Sequence, residues 1–336
     1  MADRKRVGFV IGLLLCCFLV GCSGTTSVFF PASPNARVTA QLFTFVFTIE
    51  AFVFIFTEGA LIYTVVRFSR KKSAGLPKQV EGNLTLELTW TIIPAILLAL
   101  IFFVSLGTLR TVTSAPPQSS LQAPPIQVKA IGHQWFWEFD YPDLNIVTAN
   151  ELVVPVGTLI NVDVQSVDVI HSYWVPELGG KIDAIPGITN QTRFQADKTG
   201  TFTGQCAEFC GADHAQMRMT VVVVSPEDYA TWVKGQQAPI PQLSGDAASG
   251  EQFFIEMPCI GCHTIANTKA QGKIGPDLTH FASRDIFAGG VLANTPDNLS
   301  KWLADPQAIK PGNQMPNLHL GTAGIEMLVT FLESLK

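Results

Sequence analysis

The chain has 336 residues, 47% hydrophobic and only 15% charged, with a formal net charge of −5. That length accommodates two or three domains, and so little charge beside so much apolar content leans toward a membrane. The acidic balance offers no basic surplus of the kind nucleic acid attracts, so no nucleic-acid partner is expected.

In chain order, the first apolar stretch is residues 7–20, behind Arg4-Lys5-Arg6 and ahead of Leu19-Val20-Gly21-Cys22. This is the layout of a secretory signal, too short to span comfortably. Its end resembles a bacterial lipobox, so residues 1–21 are expected to be removed and Cys22 acylated. Residues 39–68 and 86–109 are long enough to cross a bilayer, giving a transmembrane hairpin over residues 38–110. Between them lie Arg67, Arg70, Lys71, Lys72 and Lys78 against Glu81 and Glu87. That excess places the connection in the cytoplasm and everything after Arg110 outside it. Glu50 and Glu58 are costly in hydrocarbon and read as carboxyls bonded to a neighbouring subunit rather than as a proton path.

Residues 111–125, rich in Ser, Pro and Gln, form a surface linker. Alternating runs then appear at residues 127–131, 151–155, 159–165, 192–195 and 219–224, predicting an all-β sandwich or barrel over residues 126–234. Residues 126–232 hold five basic and thirteen acidic side chains, a net charge of −8, whereas residues 247–336 net −2. An acidic face can steer a basic electron donor, and Asp168 and Asp183 flank the segment discussed next.

Cys206, Cys210, His214 and Met217 follow one another at steps of four, four and three residues. Thiolates, an imidazole and a thioether aimed at one point favour copper, and the thioether argues against zinc. A mononuclear blue-copper site needs one cysteine, so the second suggests two thiolates bridging two coppers. His171, just past the third run, can meet this loop at one pole of the sandwich and supply a second imidazole.

A linker at residues 235–246 precedes residues 247–336, where Cys259-Ile260-Gly261-Cys262-His263 is a c-type haem attachment motif. Both thiols add to the haem vinyls and His263 takes the proximal iron position. Helical spacing begins near Ser249 and recurs at residues 297–303 and 322–335. Of seven cysteines, Cys16 and Cys17 fall in the signal and Cys22 is the acylation candidate. The other four sit in metal or haem motifs, which makes disulfides the lesser reading.

Three blocks then resemble one family. Gly132-His-Gln-Trp-Phe-Trp137, the segment from His171 to Gly187, and the Cys206–Met217 loop are similar to subunit II of haem-copper cytochrome c oxidases, as is Glu87-Leu-Thr-Trp-Thr-Ile-Ile-Pro94 in the second span. The tail resembles a small class I cytochrome c, with Met315 of Gly312-Asn-Gln-Met-Pro316 as distal ligand, His280 and His319 as alternatives, and Trp302 packed near the haem. Subunits of this family with a fused cytochrome c form a known branch.

The resemblance implies a multidomain membrane protein: a two-helix transmembrane hairpin, an all-β cupredoxin-like domain and an all-α class I cytochrome c domain. Cys206 and Cys210 would bridge the binuclear copper A centre, His171 and His214 would be terminal ligands, and Met217 and the Glu208 carbonyl weak axial ones. The Glu208 side chain would reach a magnesium shared with subunit I, Trp135 would receive external electrons, and Glu87 would stand at the mouth of a proton channel. The implied activity is that of the electron-input subunit of a proton-pumping oxidase in the bacterial inner membrane, copper and haem domains on the periplasmic face. Covalent haem c would pass electrons through copper A to subunit I, which reduces oxygen to water. Subunit I and the other oxidase subunits are the implied partners, with a soluble cytochrome c or a quinol-oxidising complex upstream. The alternative is the copper A subunit of a nitric-oxide reductase-like complex. A nitrous-oxide reductase is disfavoured by the two spans, and an exported copper-delivery lipoprotein has no need of haem. The quinol-oxidase form of subunit II is excluded by the intact copper-ligating side chains.

Overall fold

The computed structural model describes residues 26–68, 79, 81–114 and 123–336. The expected signal, Cys22 and most of the basic connection between the spans lie outside the described residues.

Helix α1 (Pro34–Arg67) begins where the Ser33 hydroxyl accepts from the Ala36 N–H and Pro34 takes the first helical turn. Helix α2 (Leu84–Thr113) is capped by Asn83, whose side chain accepts from the Leu86 N–H. These caps carry both helices beyond the apolar stretches that announce them. At 34 and 30 residues they are about 51 and 45 Å long, more than a hydrocarbon core of about 30 Å requires. Their exposed faces carry Phe52, Phe54 and Phe56 on α1 and Trp90, Phe102 and Phe103 on α2. Such a surface suits lipid or partner helices, and Glu50 and Glu58 are exposed on it.

The root of α1 is tied to the β domain. Ala32 N–H donates to Glu177 O at 2.7 Å, Ala32 O accepts from Asp197 N–H at 3.0 Å, and the Ser33 hydroxyl donates to Leu178 O at 2.7 Å. Arg37 pairs with Asp197 just beyond.

The β domain has ten strands: β1 (Ile126–His133), β2 (Phe136–Tyr141), β3 (Ile146–Ala149), β4 (Glu151–Pro155), β5 (Leu159–Ser166), β6 (His171–Tyr173), β7 (Ile182–Ala184), β8 (Asn190–Gln195), β9 (Gly200–Gln205) and β10 (Arg218–Val224). One sheet runs β3-β2-β1-β5-β8, the other β4-β10-β9, with β6 and β7 as a separate ribbon. β1 lies parallel to β5, and β4 parallel to β10. Alternation in β10 sends Met219, Val221 and Val223 inward, where they meet a core that includes Trp137, Phe139, Tyr141, Leu152 and Ile160. Five strands were not among the expected runs. β6 and β7 have three residues each and cannot display a period, while β2 alternates as an aromatic strand, with Trp137, Phe139 and Tyr141 wholly buried.

Helix α3 (Pro226–Gln237) corrects the linker expected from residue 235. Ser225 caps it, and Glu227 and Asp228 complement the dipole of its first turn. Its last turn is pinned by Gln236 to Ser283 and by Gln237 to Leu144 O, each at 2.8 Å. The connection is correspondingly shorter, since α4 (Gly245–Glu256) begins at Gly245.

The C-terminal unit comprises α4, α5 (Pro296–Ala304), α6 (Pro306–Ile309) and α7 (Thr322–Leu332). α4 and α7 pack through Phe254 and Phe331, ring centroids 5.6 Å apart, over a core with Leu299, Leu328 and Leu332. To the all-α expectation the fold adds a small ribbon, β11 (Ile286–Phe287) with β12 (Leu292–Ala293). Its turn rests on the β domain.

The buried Tyr141 hydroxyl donates to Val153 O and accepts from Val153 N–H, both at 2.9 Å. Tyr141→Phe leaves both peptide groups unpaired and should cost about 1–3 kcal/mol, seen as a lower thermal midpoint of the purified chain.

Candidate metal and haem centres

Strand pairing creates the first centre. Gln205 at the end of β9 lies opposite Arg218 at the start of β10, and Cys206 N–H donates to Met217 O at 2.9 Å. Everything between is a closed loop. Within it the Cys206 and Cys210 sulfurs lie 3.8 Å apart, far beyond the roughly 2 Å of a disulfide, and both cysteines are free.

The other expected donors surround this pair. His171 Nδ1 is 3.9 Å from Cys206 Sγ, and His214 Nδ1 is 3.5 Å from Cys210 Sγ. Met217 Sδ lies 3.8 Å from Cys210 Sγ, and Glu208 O lies 3.2 Å from Cys206 Sγ. Cys206, Cys210, His171 and Met217 are only 4%, 3%, 0% and 0% exposed. One sulfur, one imidazole nitrogen and one weak donor thus attend each side of a buried sulfur pair, a set that fits two soft cations sharing two thiolates. The hydrogen bond between the two sulfurs lets only one of them give up its proton readily: it holds Cys206 well below the usual thiol range and pushes Cys210 up.

Asp168 has a different place from the surface acid expected. Its carboxylate accepts from the Gln134 and Val169 N–H groups, both at 2.6 Å, and lies 2.7 Å from His171 Nε2. Burial works to raise it, but His171 and the two amides outweigh burial and hold it below the ordinary carboxylate range. His171 is thereby fixed with Nδ1 facing the sulfur. Asp183 is exposed on β7. Gln134 and Trp135 form the two-residue turn between β1 and β2, and Gln134 Nε2 and Trp135 Nε1 donate to Cys210 O at 2.7 and 3.1 Å. Glu208 is exposed, its carboxylate accepting only from the Phe209 N–H among the described residues. Glu87 sits in the first turn of α2.

The second centre is a largely apolar cavity of about 240 Å³ in the C-terminal unit, lined by Cys259, Cys262, His263 and Met315. A 3₁₀ turn, Pro258–Gly261, presents the first cysteine. His263 Nδ1 lies 2.8 Å from Pro276 O, so the ring donates there and its Nε2 is a free acceptor. Burial lowers the His263 pKa. Trp302 Nε1 donates to Met315 Sδ at 3.2 Å, orienting the thioether. His280 instead faces the Lys336 carbonyl at 3.0 Å, and His319 is exposed; neither lines the cavity. Trp135 does line it, so one side chain touches both centres.

Three family profiles match in order: cytochrome c oxidase subunit II, transmembrane domain, over residues 26–108; its periplasmic domain over residues 144–224; and cytochrome c over residues 247–336. Cytochrome c oxidase subunit 2 of Alkalihalophilus pseudofirmus is 35% identical over 324 residues, spanning 95% of this chain and 94% of that one. The chain belongs to the cytochrome c oxidase subunit II family. The subunit of Bacillus subtilis is also 35% identical, over 82% of each chain. The crystal structure of the periplasmic domain of subunit II from Bradyrhizobium japonicum is 41% identical over 35% of this chain and 96% of that one, with a TM-score of 0.33. As a cytochrome c oxidase subunit II, this is a membrane-anchored chain whose periplasmic domain is of the copper A type and whose C-terminal domain is a cytochrome c. The Cys206–Met217 loop with His171 fits the metal of such a domain.

The sequence points to Asp168 only as an acid of the face that could steer a donor, and gives Gln134 and Gly132 no role. The local signal for them is the Gly132-His-Gln-Trp motif, whose glycine the structure explains. A Cβ at Gly132 would lie 2.7 Å from His171 Cδ2. Gly132→Ala should therefore displace that ring, and Asp168→Ala should free it. Each should weaken copper retention by about 10–100-fold, measured by metal analysis and visible absorption of the folded protein.

Proposed function

We propose that the chain is the electron-input subunit of a proton-pumping cytochrome c oxidase in a bacterial inner membrane, with two spans and both soluble domains on the periplasmic face. The observation that carries this is Trp135: its indole N–H donates to Cys210 O at 3.1 Å while its side chain lines the cavity of His263 and Met315. Cys206, Cys210, His171, His214, Met217 and the Glu208 carbonyl would hold the copper pair. Cys259 and Cys262 would hold haem c covalently, with His263 and Met315 as its iron ligands. When bound, each group supplies a one-electron couple, the haem toward the donor and the copper pair toward subunit I.

The residues of this chain keep those couples fixed and dry. Burial excludes water from the cysteines, Asp168 stops the His171 ring from turning, and Pro276 and Trp302 orient His263 and Met315. A closed donor set leaves no position for oxygen, so its reduction to water and the pumping of protons fall to subunit I. The exposed Glu208 carboxylate would meet a magnesium shared with that subunit, and Glu87 would stand at a proton channel in it. Upstream, a soluble cytochrome c or a quinol-oxidising complex would reduce the haem.

Isolation of the membrane complex through this chain tests the reading. Subunit I should co-purify, and reduced haem should be reoxidised by oxygen in a copper-dependent way; a complex lacking subunit I overturns it. In the same complex, Cys210→Ser should abolish the hyperfine pattern of a mixed-valence copper pair. Met217→Leu should retain copper while shifting its potential and slowing electron flow, as read by redox titration and turnover.

A further inference from the structure

Beside the apolar cavity that Trp135 lines, the contact between the copper and cytochrome domains contains several buried polar groups. Lys310, 2% exposed, reaches from the segment after α6 to donate to Trp135 O at 3.1 Å. Its ammonium also stands 3.6 Å from the carboxylate of Asp213, another 2% exposed residue. A buried pair of this kind adds little net stability, but removing one partner is strongly penalised, which makes it a device for fixing orientation.

Two further contacts lie on other elements. Glu151, 5% exposed at the start of β4, has one carboxylate oxygen accepting from the N–H groups of both Asp285 and Ile286, at 2.7 and 2.8 Å. The turn between β11 and β12 presses Gly289 against the copper domain, where Gly289 O accepts from Arg218 N–H at 2.7 Å. Gly289 and Gly290 have φ of +72° and +75°. A Cβ at Gly289 would lie 2.7 Å from Lys310 Nζ and 2.9 Å from Trp135 O. Backbone conformation and lack of space both demand glycine there.

We propose that Lys310, Glu151 and the Gly289–Gly290 turn are positioning elements that lock the cytochrome domain onto the Trp135 face of the copper domain. This rests on the electron-input reading above and assigns the occupant of that face: it is the chain's own C-terminal domain. A soluble donor then delivers to the cytochrome domain and does not reach Trp135. Lys310 and Gly289 meet at the Trp135 carbonyl, and Glu151 holds a separate point at the start of β4, so together they fix both rotation and distance between the two centres.

The test uses the intact complex, with a light pulse from a ruthenium photoreductant placing one electron on the haem. Transfer is followed as ferrous haem becomes ferric and oxidised copper A takes up that electron. Lys310→Met and Glu151→Ala should each slow this step at least about tenfold, because small misplacements carry large rate penalties. In Glu151→Ala, whose residue lines neither centre, haem and copper spectra and midpoint potentials should stay as in the wild type. Glu151→Gln, which keeps an acceptor oxygen, should restore the rate. Amide hydrogen exchange supplies a readout independent of turnover, taken at the contact each variant does not touch. Asp285 and Ile286 should exchange faster in Lys310→Met, and Arg218 faster in Glu151→Ala. Wild-type rates and exchange in both variants overturn the proposal, whereas absence of haem-to-copper transfer in the wild type overturns the reading beneath it. Should Lys310→Met lose copper through Asp213, the neighbour of His214, Glu151→Ala decides alone, since Glu151 lines neither centre.

Discussion

The pairing of Gln205 with Arg218 brings the two ends of a loop together, and that closure is what gathers Cys206, Cys210, His214 and Met217 at one point. A loop of this length left open would carry substantial backbone entropy. Here the β9–β10 ladder is anchored by inward-facing Met219, Val221 and Val223, so the order of the metal loop is supplied by the sandwich core. Cys210 O gains two donors, Gln134 Nε2 and Trp135 Nε1, from a hairpin on the other sheet. The two sheets thus grip the loop from opposite sides, and the imidazole of His171 is added from a third element whose own ring is locked by Asp168.

A site held this way changes shape little when its charge changes. That is the property required of a relay, because reorganisation slows electron transfer more than any modest difference in potential. The same economy governs the cytochrome cavity, where a hydrogen bond orients each of His263 and Met315.

Much of this was legible in the sequence because the decisive chemistry is local. Cys206, Cys210, His214 and Met217 lie within twelve residues of one another, and Cys259, Cys262 and His263 within five, so spacing alone reveals their convergence. The membrane helices are announced by length and composition; the caps at Ser33 and Asn83 moved their starts, and the second runs on to Thr113. What could not be read depends on distant partners. Asp168 looked like one more acid in an acidic domain: His171 is only three residues on, but the Gln134 amide that completes its hydrogen bonds lies 34 residues away. Glu151 lies in an otherwise apolar strand, and nothing local says that its carboxylate is met by amides 134 and 135 residues away. The polar stretch after residue 235 looked like a linker, but Gln236 and Gln237 found partners across space and kept the helix intact.

The tie at Ala32 and Ser33 has a mechanical consequence. Ser33 both bonds Leu178 O and caps α1, so no slack separates the sandwich from the helix that follows. The copper loop therefore rides at a set height and azimuth above the bilayer, like an instrument bolted to its mast. A shift or tilt of that mast in the lipid would be transmitted directly to the alignment of the metal centre with whatever chain lies beneath it.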